Sequence, residues 1–305
     1  MRQNLRACSS PTKTFSSKFK KHSMATGARH LFFLLAPPVI GGYAIHRGIN
    51  NLESRYPRLS ADDSTSSLEF RTPSSPATQH SPHIDIYAAR IPLKVLLARA
   101  DNPNDIKTAD NTTLSTTWAR SVFGSRLFRF EGSVIGFFTE RRFNPGDIGD
   151  TPDAFNPIPV SLSPSIDPIP KSSERPTEKK RPLLHGVFIV ERPPSPDSPH
   201  GLLGSWKMAD EPREFFEKIA RWGYPWRLMS GGRHELSVSE PYEVPGLEGK
   251  GPFVDVRFAS AHDYEIVPEE GGLEKQKTIP EWSARLHRGY AMLILDVAVR
   301  ELMRK

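Results

Sequence analysis

Two histidine–acid pairs, His234-Glu235 and His262-Asp263, hold the residue types in this chain that could do chemistry. An imidazole beside a carboxylate can serve as a general acid or base, and two imidazoles with a carboxylate can bind a metal ion. If the segments that hold the two pairs are neighbouring strands, His234 and His262 share one face of the sheet. The alternative is that each histidine is a core residue whose ring nitrogens bond to backbone or water.

The residues around the first pair argue against a zinc protease. His234-Glu235 lacks the second histidine, four residues after the first, that a zinc-binding helix needs, and its neighbours alternate as a strand does. We therefore expect no metal site and no cofactor, and we favour a function other than catalysis.

The strand that should hold His262 gives the clearest pattern in the chain. From residue 253 to residue 267, apolar and polar residues alternate with period two, which predicts a long antiparallel strand with one solvent-exposed face. Residues 233–240 alternate as well, so the two segments should pair as a hairpin. Ser230-Gly231-Gly232, just before this hairpin, is typical of a turn.

A long helix should close the chain between residues 278 and 304. Thr278 and Glu281 fit a capping box, and Pro280 suits the first turn because its missing N–H needs no partner there. Apolar residues recur at helical spacing, which predicts a stripe that faces the sheet. The stripe consists of Trp282, Leu286, Tyr290, Leu293, Val297 and Leu302.

These elements predict an α+β fold in which a curved antiparallel sheet packs on a long C-terminal helix. The stretches RHELSVSE, VDVRFASAHDYEIV and IPEWSARLHRGYAMLILDVAVREL, within residues 233–304, resemble the closing part of the SRPBCC or START-like helix-grip superfamily, in particular its uncharacterised members. In that superfamily, antiparallel strands wrap a long C-terminal helix over an apolar cavity. Its members bind lipids, sterols or polyketides, and a few are cyclases or hydrolases. Because they share no catalytic residue, the resemblance assigns none here.

The resemblance implies a hydrophobic ligand pocket between the long strand and the last helix. The residues expected to line it are Val254, Val256, Phe258, His262, Tyr264, Leu286, Tyr290 and Leu293.

The positive charge of the chain is concentrated at its N-terminus. The first 50 residues contain eight Lys or Arg and no acid, so the rest of the chain, out of a net +6, sums to about −2. Because a nucleic-acid groove needs basic residues spread over a folded face, we predict no nucleic-acid partner.

Residues 1–23, rich in Arg, Lys, Ser and Thr, match a mitochondrial transit peptide, with a secretory signal-anchor or a non-targeting tail as alternatives.

An apolar stretch, Leu31 to Ile45, follows this basic segment. We predict that it contacts a membrane as an anchor, although as a helix it would span about 22 Å, less than the roughly 30 Å of a hydrocarbon core. A cleaved signal core and a hydrophobic arm packed on the domain are the alternatives.

The single cysteine, Cys8, precedes the stretch, so the folded part can form no disulfide and no zinc–thiolate site.

The predicted organisation has four parts. Residues 1–30 are a targeting segment, 31–47 an anchor or signal core, and 48–82 a disordered linker. Residues 83–305 form one α+β domain, interrupted by a disordered insertion at 144–182 that contains nine prolines.

Three functions fit this sequence. The first is a membrane-tethered domain, at a mitochondrial membrane or one of the secretory pathway, that binds a lipid-like or other hydrophobic small molecule. The second is an enzyme that uses His234 or His262 in the same cavity. The third is a structural or assembly factor of a mitochondrial membrane complex, with the long helix or the Pro-rich insertion as its docking surface.

Overall fold

The computed structural model describes residues 41–100, 110–138, 148–151, 153–158, 179–247 and 249–304. The chain divides into two compact units, Met1–Gly48 and Ile49–Lys305. In the first unit the described residues are helical. The predicted targeting segment and most of the apolar stretch from Leu31 to Ile45 lie outside the described residues. Within the described part of the chain, no helix is both long and apolar enough to cross a membrane.

A six-stranded antiparallel sheet is the centre of the second unit, and its two longest strands are adjacent. The strands are β1 (Gln79–Pro92), β2 (Pro182–Leu183), β3 (Phe188–Arg192), β4 (Leu202–Lys207), β5 (Gly231–Val238) and β6 (Phe253–Glu265). Their order across the sheet is β1-β6-β5-β4-β3-β2. The predicted hairpin is confirmed, since β5 pairs with β6. The predicted turn before it is wrong, because Gly231 and Gly232 are the first residues of β5.

The α-helices of this unit are α1 (the part of helix 41–55 from 49 to 55), α2 (Leu68–Arg71), α3 (Leu93–Leu97), α4 (Asn111–Phe123), α5 (Arg126–Phe138), α6 (Asp210–Arg221) and α7 (Glu281–Met303). We call the side of the sheet on which α4 and α7 pack the front face, and α2 lies on the opposite face. The C-terminal helix α7 packs on β1 and β6, and α4 packs on β5. The predicted α+β class and the packing of a C-terminal helix on an antiparallel sheet are thus confirmed.

The C-terminal helix turns a different side to the sheet from the one predicted. Its sheet-facing side includes Met292 and Leu295, which belong to one core with Val254, Val256 and Phe258 of β6. The predicted stripe is largely exposed instead, at Trp282, Leu286, Tyr290 and Leu293. The predicted capping box is also absent, because Pro280 is the N-cap and no side chain bonds to the first turn.

The reason for this reversal is that α7 is covered on two sides. Besides the sheet it contacts α1, where Ile49 packs so closely on Gly289 that a Cβ there would lie 2.8 Å from the Ile49 side chain. Tyr56, just after α1, donates a hydrogen bond to Asp296 over 2.9 Å. Close packing on two sides needs small residues, such as Gly289 and Ala291, which leaves the large apolar residues for the third side.

The opposite face of the sheet, which we call the back face, is covered by residues predicted to be a disordered linker. Within residues 48–82, the short helix α2 places Phe70, fully buried, against Ala259 and Ala261 of β6. The solvent-exposed face predicted for β6 is therefore wrong at the centre of the strand. Single contacts, together with the buried ion pairs described below, attach the segment to the sheet. Such contacts require no regular spacing of apolar residues, so the sequence of the segment shows no apolar periodicity.

The predicted disordered insertion, 144–182, is folded at both of its ends. Phe155 is buried in the main core, with its ring centroid 6.0 Å from that of Phe123 in α4. Ile158 and Lys179 pair as an isolated antiparallel bridge. Residues 159–178 lie outside the described part of the chain.

Candidate functional site

The two histidine–acid pairs are divided between the faces of the sheet, because consecutive residues of a strand point to opposite sides. His234 and His262 lie on the front face, as predicted, since their register partners are Ser260 and Gly232 of the same hairpin. Glu235 and Asp263 lie on the back face. The sheet therefore separates each imidazole from its neighbouring carboxylate, and the acid–base pairs expected from the sequence do not form.

Four histidines, which we call the histidine layer, meet on the front face under the start of α7. His83 of β1 lies directly opposite His262 of β6 in the strand register. His287 of α7 completes this group, with its ring centroid 5.5 Å from that of His262 at 85°. The fourth member, His234, lies on β5, where its ring centroid is 5.2 Å from that of Phe258.

Two glycines make room for aromatic rings beside these histidines. Gly204 of β4 lies opposite His234, and a Cβ there would come within 2.0 Å of the Phe188 ring. The Phe188 ring can thus stack on His234, with a centroid distance of 6.1 Å and an interplanar angle of 15°. Gly232 lies opposite His262 and makes the same kind of space for the Trp206 ring.

Three members of the histidine layer, His83, His234 and His262, are uncharged at neutral pH. Burial, with smaller contributions from His234, His287 and His83, lowers the pKa of His262 to about 3. Burial likewise lowers the pKa of His234 to about 4 and lowers the pKa of His83. Each of these imidazoles therefore offers one N–H donor and one acceptor nitrogen.

Two ring nitrogens of this layer have unused hydrogen-bonding capacity. Within the part of the chain that the structure describes, His83 Nε2 and His234 Nδ1 are buried and have no hydrogen-bond partner. Ser260 Oγ lies 3.5 Å from His262 Nε2 on the same face. A buried polar atom without a partner is uncommon in a native fold and calls for an explanation, such as a bound group. The described residues contain no group of three or more His, Cys, Asp or Glu placed to hold a metal ion.

A cavity of about 460 Å³ opens beside His83, at the edge of the sheet where α1, β1 and α7 meet. Tyr87 and Met292 give its wall an apolar part, while Arg58 and Arg288 give it a charged rim. Below Arg58 lies the buried Asp85, at an Nε–Oδ1 distance of 3.1 Å. Burial raises the pKa of Asp85, although the two arginines oppose this shift. Glu53 and Glu281 also line the rim, so the cavity combines an apolar wall with an entrance that holds charges of both signs.

The residues predicted to line a ligand pocket do not surround one cavity. Val254, Val256 and Phe258 are buried in the main core, and Tyr264 belongs to a separate cluster with Met229, Ile279 and Ala284. Leu286, Tyr290 and Leu293 lie on the exposed side of α7. Of the predicted set, His262 is the member that lies in the histidine layer.

The carboxylates of the two pairs hold the linker segment to the back face. Glu235, 1% exposed, accepts a hydrogen bond from the backbone N–H of Ser67 over 3.0 Å and from Arg192 Nη2 over 2.8 Å. Asp263, also 1% exposed, accepts hydrogen bonds from Arg233 Nη2 over 2.8 Å and from Ser81 Oγ over 2.5 Å. Buried carboxylates that are paired in this way join distant segments of the chain.

Sequence reasoning missed several residues of these sites. His83 and His287 belong to the histidine layer, and Arg192 and Arg233 bind the back-face carboxylates. The alternation of residues 83–88 was a usable signal, because it places His83 on the same face as Tyr87. The arginines gave no local signal, since Arg192 and Glu235 are 43 residues apart in the chain.

A continuous apolar surface, which we call the outer face, is formed by the exposed sides of α5 and α7. Tyr290 Oη donates a hydrogen bond to Glu131 over 2.7 Å and thereby links the two helices. At the start of α7, Trp282 makes an edge contact with Trp226, with ring centroids 6.4 Å apart. The exposed apolar residues are Phe130, Val134 and Phe137 on α5, and Trp282, Leu286, Tyr290 and Leu293 on α7.

No known protein family matches this sequence, and no curated protein or solved structure is significantly similar to it. The fold itself defines the class of protein: an α+β domain in which a six-stranded antiparallel sheet packs against a long C-terminal helix.

Proposed function

We propose that this protein is a membrane-tethered, helix-grip-like domain that binds a lipid-like ligand between its sheet and α7. The observation that carries the proposal is the pair of buried, unpartnered ring nitrogens on His83 and His234 in the histidine layer. Leaving such atoms unpaired costs about 1–3 kcal/mol each, and a ligand hydroxyl or carbonyl would remove this cost. Because the imidazoles are neutral, they suit an uncharged polar group on an apolar body.

The cavity beside His83 is the proposed entrance. Tyr87 and Met292 would contact the apolar body of the ligand, while the charged residues of the rim would bind a polar head group. The arrangement of the sheet supports the helix-grip assignment, because β1 lies next to β6 and α7 crosses both of these strands.

The membrane part of the proposal depends on the apolar stretch from Leu31 to Ile45. That stretch ends four residues before Ile49, where the second unit begins, so a membrane that held it would lie close to this unit. The outer face supports the same conclusion, because tryptophan and tyrosine are enriched where proteins meet the membrane interface. The acid-free basic residues 1–23 favour a mitochondrial membrane, with a secretory-pathway membrane as the alternative address. Resistance of the native protein to carbonate extraction tests this part.

Ligand binding is tested with delipidated full-length protein and a fluorescent fatty acid or sterol. We expect saturable uptake, and we expect Glu53→Trp, which places a large side chain at the exposed mouth of the cavity, to weaken it by about tenfold or more. Met303→Trp is the matched control, since Met303 is exposed at the C-terminal end of α7 and does not line the cavity. Absence of uptake by the wild-type protein, or equal loss in both variants, would contradict the proposal.

A second candidate, an assembly factor of a membrane complex, is favoured by the outer face. Exposed apolar surfaces of this kind also serve as protein docking sites. Co-purification of a defined partner that is lost in Leu286→Ser/Leu293→Ser, while lipid uptake is retained, would support this function over the first.

A further inference from the structure

A second cavity, of about 770 Å³, lies on the back face, between the residues around α2 and strands β3, β4 and β5. Its volume is in the range of small-molecule sites. Three cations line it, namely Lys180, Arg192 and Arg233, together with two carboxylates, Glu69 and Glu191. With Glu235 and Asp263, the buried partners of the two arginines, the site has three cations and four carboxylates, a formal charge of about −1.

Arg233 is the most deeply buried of these cations, with 3% of its surface exposed. Its Nε donates to the Phe70 carbonyl over 3.0 Å, and its Nη2 donates to Ser81 and Asp263. Among the described residues, Nη1 has no hydrogen-bond partner. The guanidinium thus retains one unused donor group in a residue that lines the cavity.

The guanidinium of Arg192 provides a second group of hydrogen-bond donors in the cavity. Part of this guanidinium already donates to an exposed side chain of the protein itself. One side of its guanidinium binds the buried Glu235, and the other binds Glu69. The two carboxylates differ greatly in burial, because the Glu69 side chain is 68% exposed while that of Glu235 is 1% exposed. An exposed ion pair contributes little free energy, so an external carboxylate can replace Glu69 at small cost.

We propose that this back-face cavity binds a small monocarboxylate. The carboxylate takes the place of the Glu69 side chain on Arg192 and approaches Arg233, and a short alkyl chain lies against Leu68 and Leu203. A planar carboxylate matches the fork of a guanidinium, and a monocarboxylate that displaces the Glu69 carboxylate leaves the charge around Arg192 unchanged, whereas a phosphate dianion would add a negative charge. This site is separate from the proposed lipid site, since the sheet lies between the two.

Calorimetric titration of the full-length protein with hexanoate tests the proposal, with hexan-1-ol and inorganic phosphate as comparison ligands. We expect hexanoate alone to bind. Glu69→Gln, which removes the competing carboxylate, should tighten binding on the order of threefold to fivefold. Glu274→Gln is the matched control, because Glu274 lies on a surface turn away from the cavity, and it should leave the affinity unchanged.

Further variants decide whether hexanoate binds at this site. Arg192→Gln should weaken binding by about tenfold or more while near-ultraviolet circular dichroism reports an intact fold. Glu53→Trp, which narrows the entrance of the lipid site, should leave hexanoate binding unchanged. Absence of hexanoate binding by wild type and Glu69→Gln would overturn the proposal. Equal binding of hexan-1-ol, binding of phosphate alone, or loss of hexanoate binding in Glu53→Trp would do the same.

Discussion

His83 and His262 lie directly opposite each other on adjacent strands, in the layer between the sheet and α7. His83 has a buried carboxylate, Asp85, two residues away on the same face of β1, whereas the chain neighbours of His262 point to the back of the sheet. Burial favours the neutral form of both rings. Both rings are favoured in the folded protein only while they are uncharged. The stability of the fold should therefore depend on pH.

Stability should fall as the pH is lowered from 7 to 5. The pKa of His262 is about 3 in the folded protein and about 6.5 in the unfolded chain, so below pH 6.5 only the unfolded chain takes up the proton. At pH 5 this one residue should lower the free energy of unfolding by about 2 kcal/mol relative to pH 7. Chemical denaturation at both pH values measures the difference.

The variant His262→Phe should make this pH dependence smaller by about that amount. If the free energy of unfolding were the same at pH 7 and pH 5 in the wild-type protein, His262 would not be buried in its neutral form.

The sequence predicted those elements of the fold whose own residues follow a periodic pattern of apolar and polar types. Period-two alternation from residue 253 identified β6, and the parity of that alternation placed His234 and His262 on one face. Helical spacing identified α7, but the face was wrong because its buried sides are marked by small residues such as Gly289 and Ala291. Large apolar residues mark a core-facing stripe only when a helix is covered on one side.

The back face could not be predicted, because its contacts join distant segments through single residues. Glu235 and Asp263 looked catalytic since each follows a histidine in the sequence. Their actual partners include Ser67 and Ser81, in a segment whose composition suggested disorder. A segment that is attached by hydrogen bonds and ion pairs of single residues has no periodic pattern of apolar residues in its own sequence.

Breaking one of these ion pairs should be costly. Glu235→Ala leaves the guanidinium of Arg192 without its buried partner and removes the acceptor for the Ser67 N–H, so we expect a loss of about 3–5 kcal/mol in the free energy of unfolding. Glu69→Ala removes the exposed partner of the same arginine and should cost about 1 kcal/mol or less. Equal losses in the two variants, measured by denaturant unfolding, would show that burial does not decide their contributions.

Gly204 should tolerate no side chain while Phe188 is present. A Cβ at residue 204 would lie 2.0 Å from the Phe188 ring, so Gly204→Ala must displace that ring from His234. We expect destabilisation by about 1–3 kcal/mol, as is usual for overpacked cores. In the background Phe188→Leu, whose smaller side chain leaves space, Gly204→Ala should cost less, and thermal unfolding of the four proteins gives the coupling energy. Strictly additive effects would mean that the two residues do not share this space.

The outer face should enter the interfacial region of a bilayer when the full-length protein is reconstituted into vesicles. In a Cys8→Ser background, a polarity-sensitive dye attached through Leu293→Cys should shift its emission to the blue relative to the protein in detergent-free buffer, because Leu293 lies in the middle of that face. Leu68→Cys is the matched control, since Leu68 is an exposed leucine on α2, which covers the back face of the sheet, opposite to α7, and should show no shift. Equal shifts at the two positions would reflect general contact with lipid, and no shift at Leu293 would leave the outer face to a protein partner.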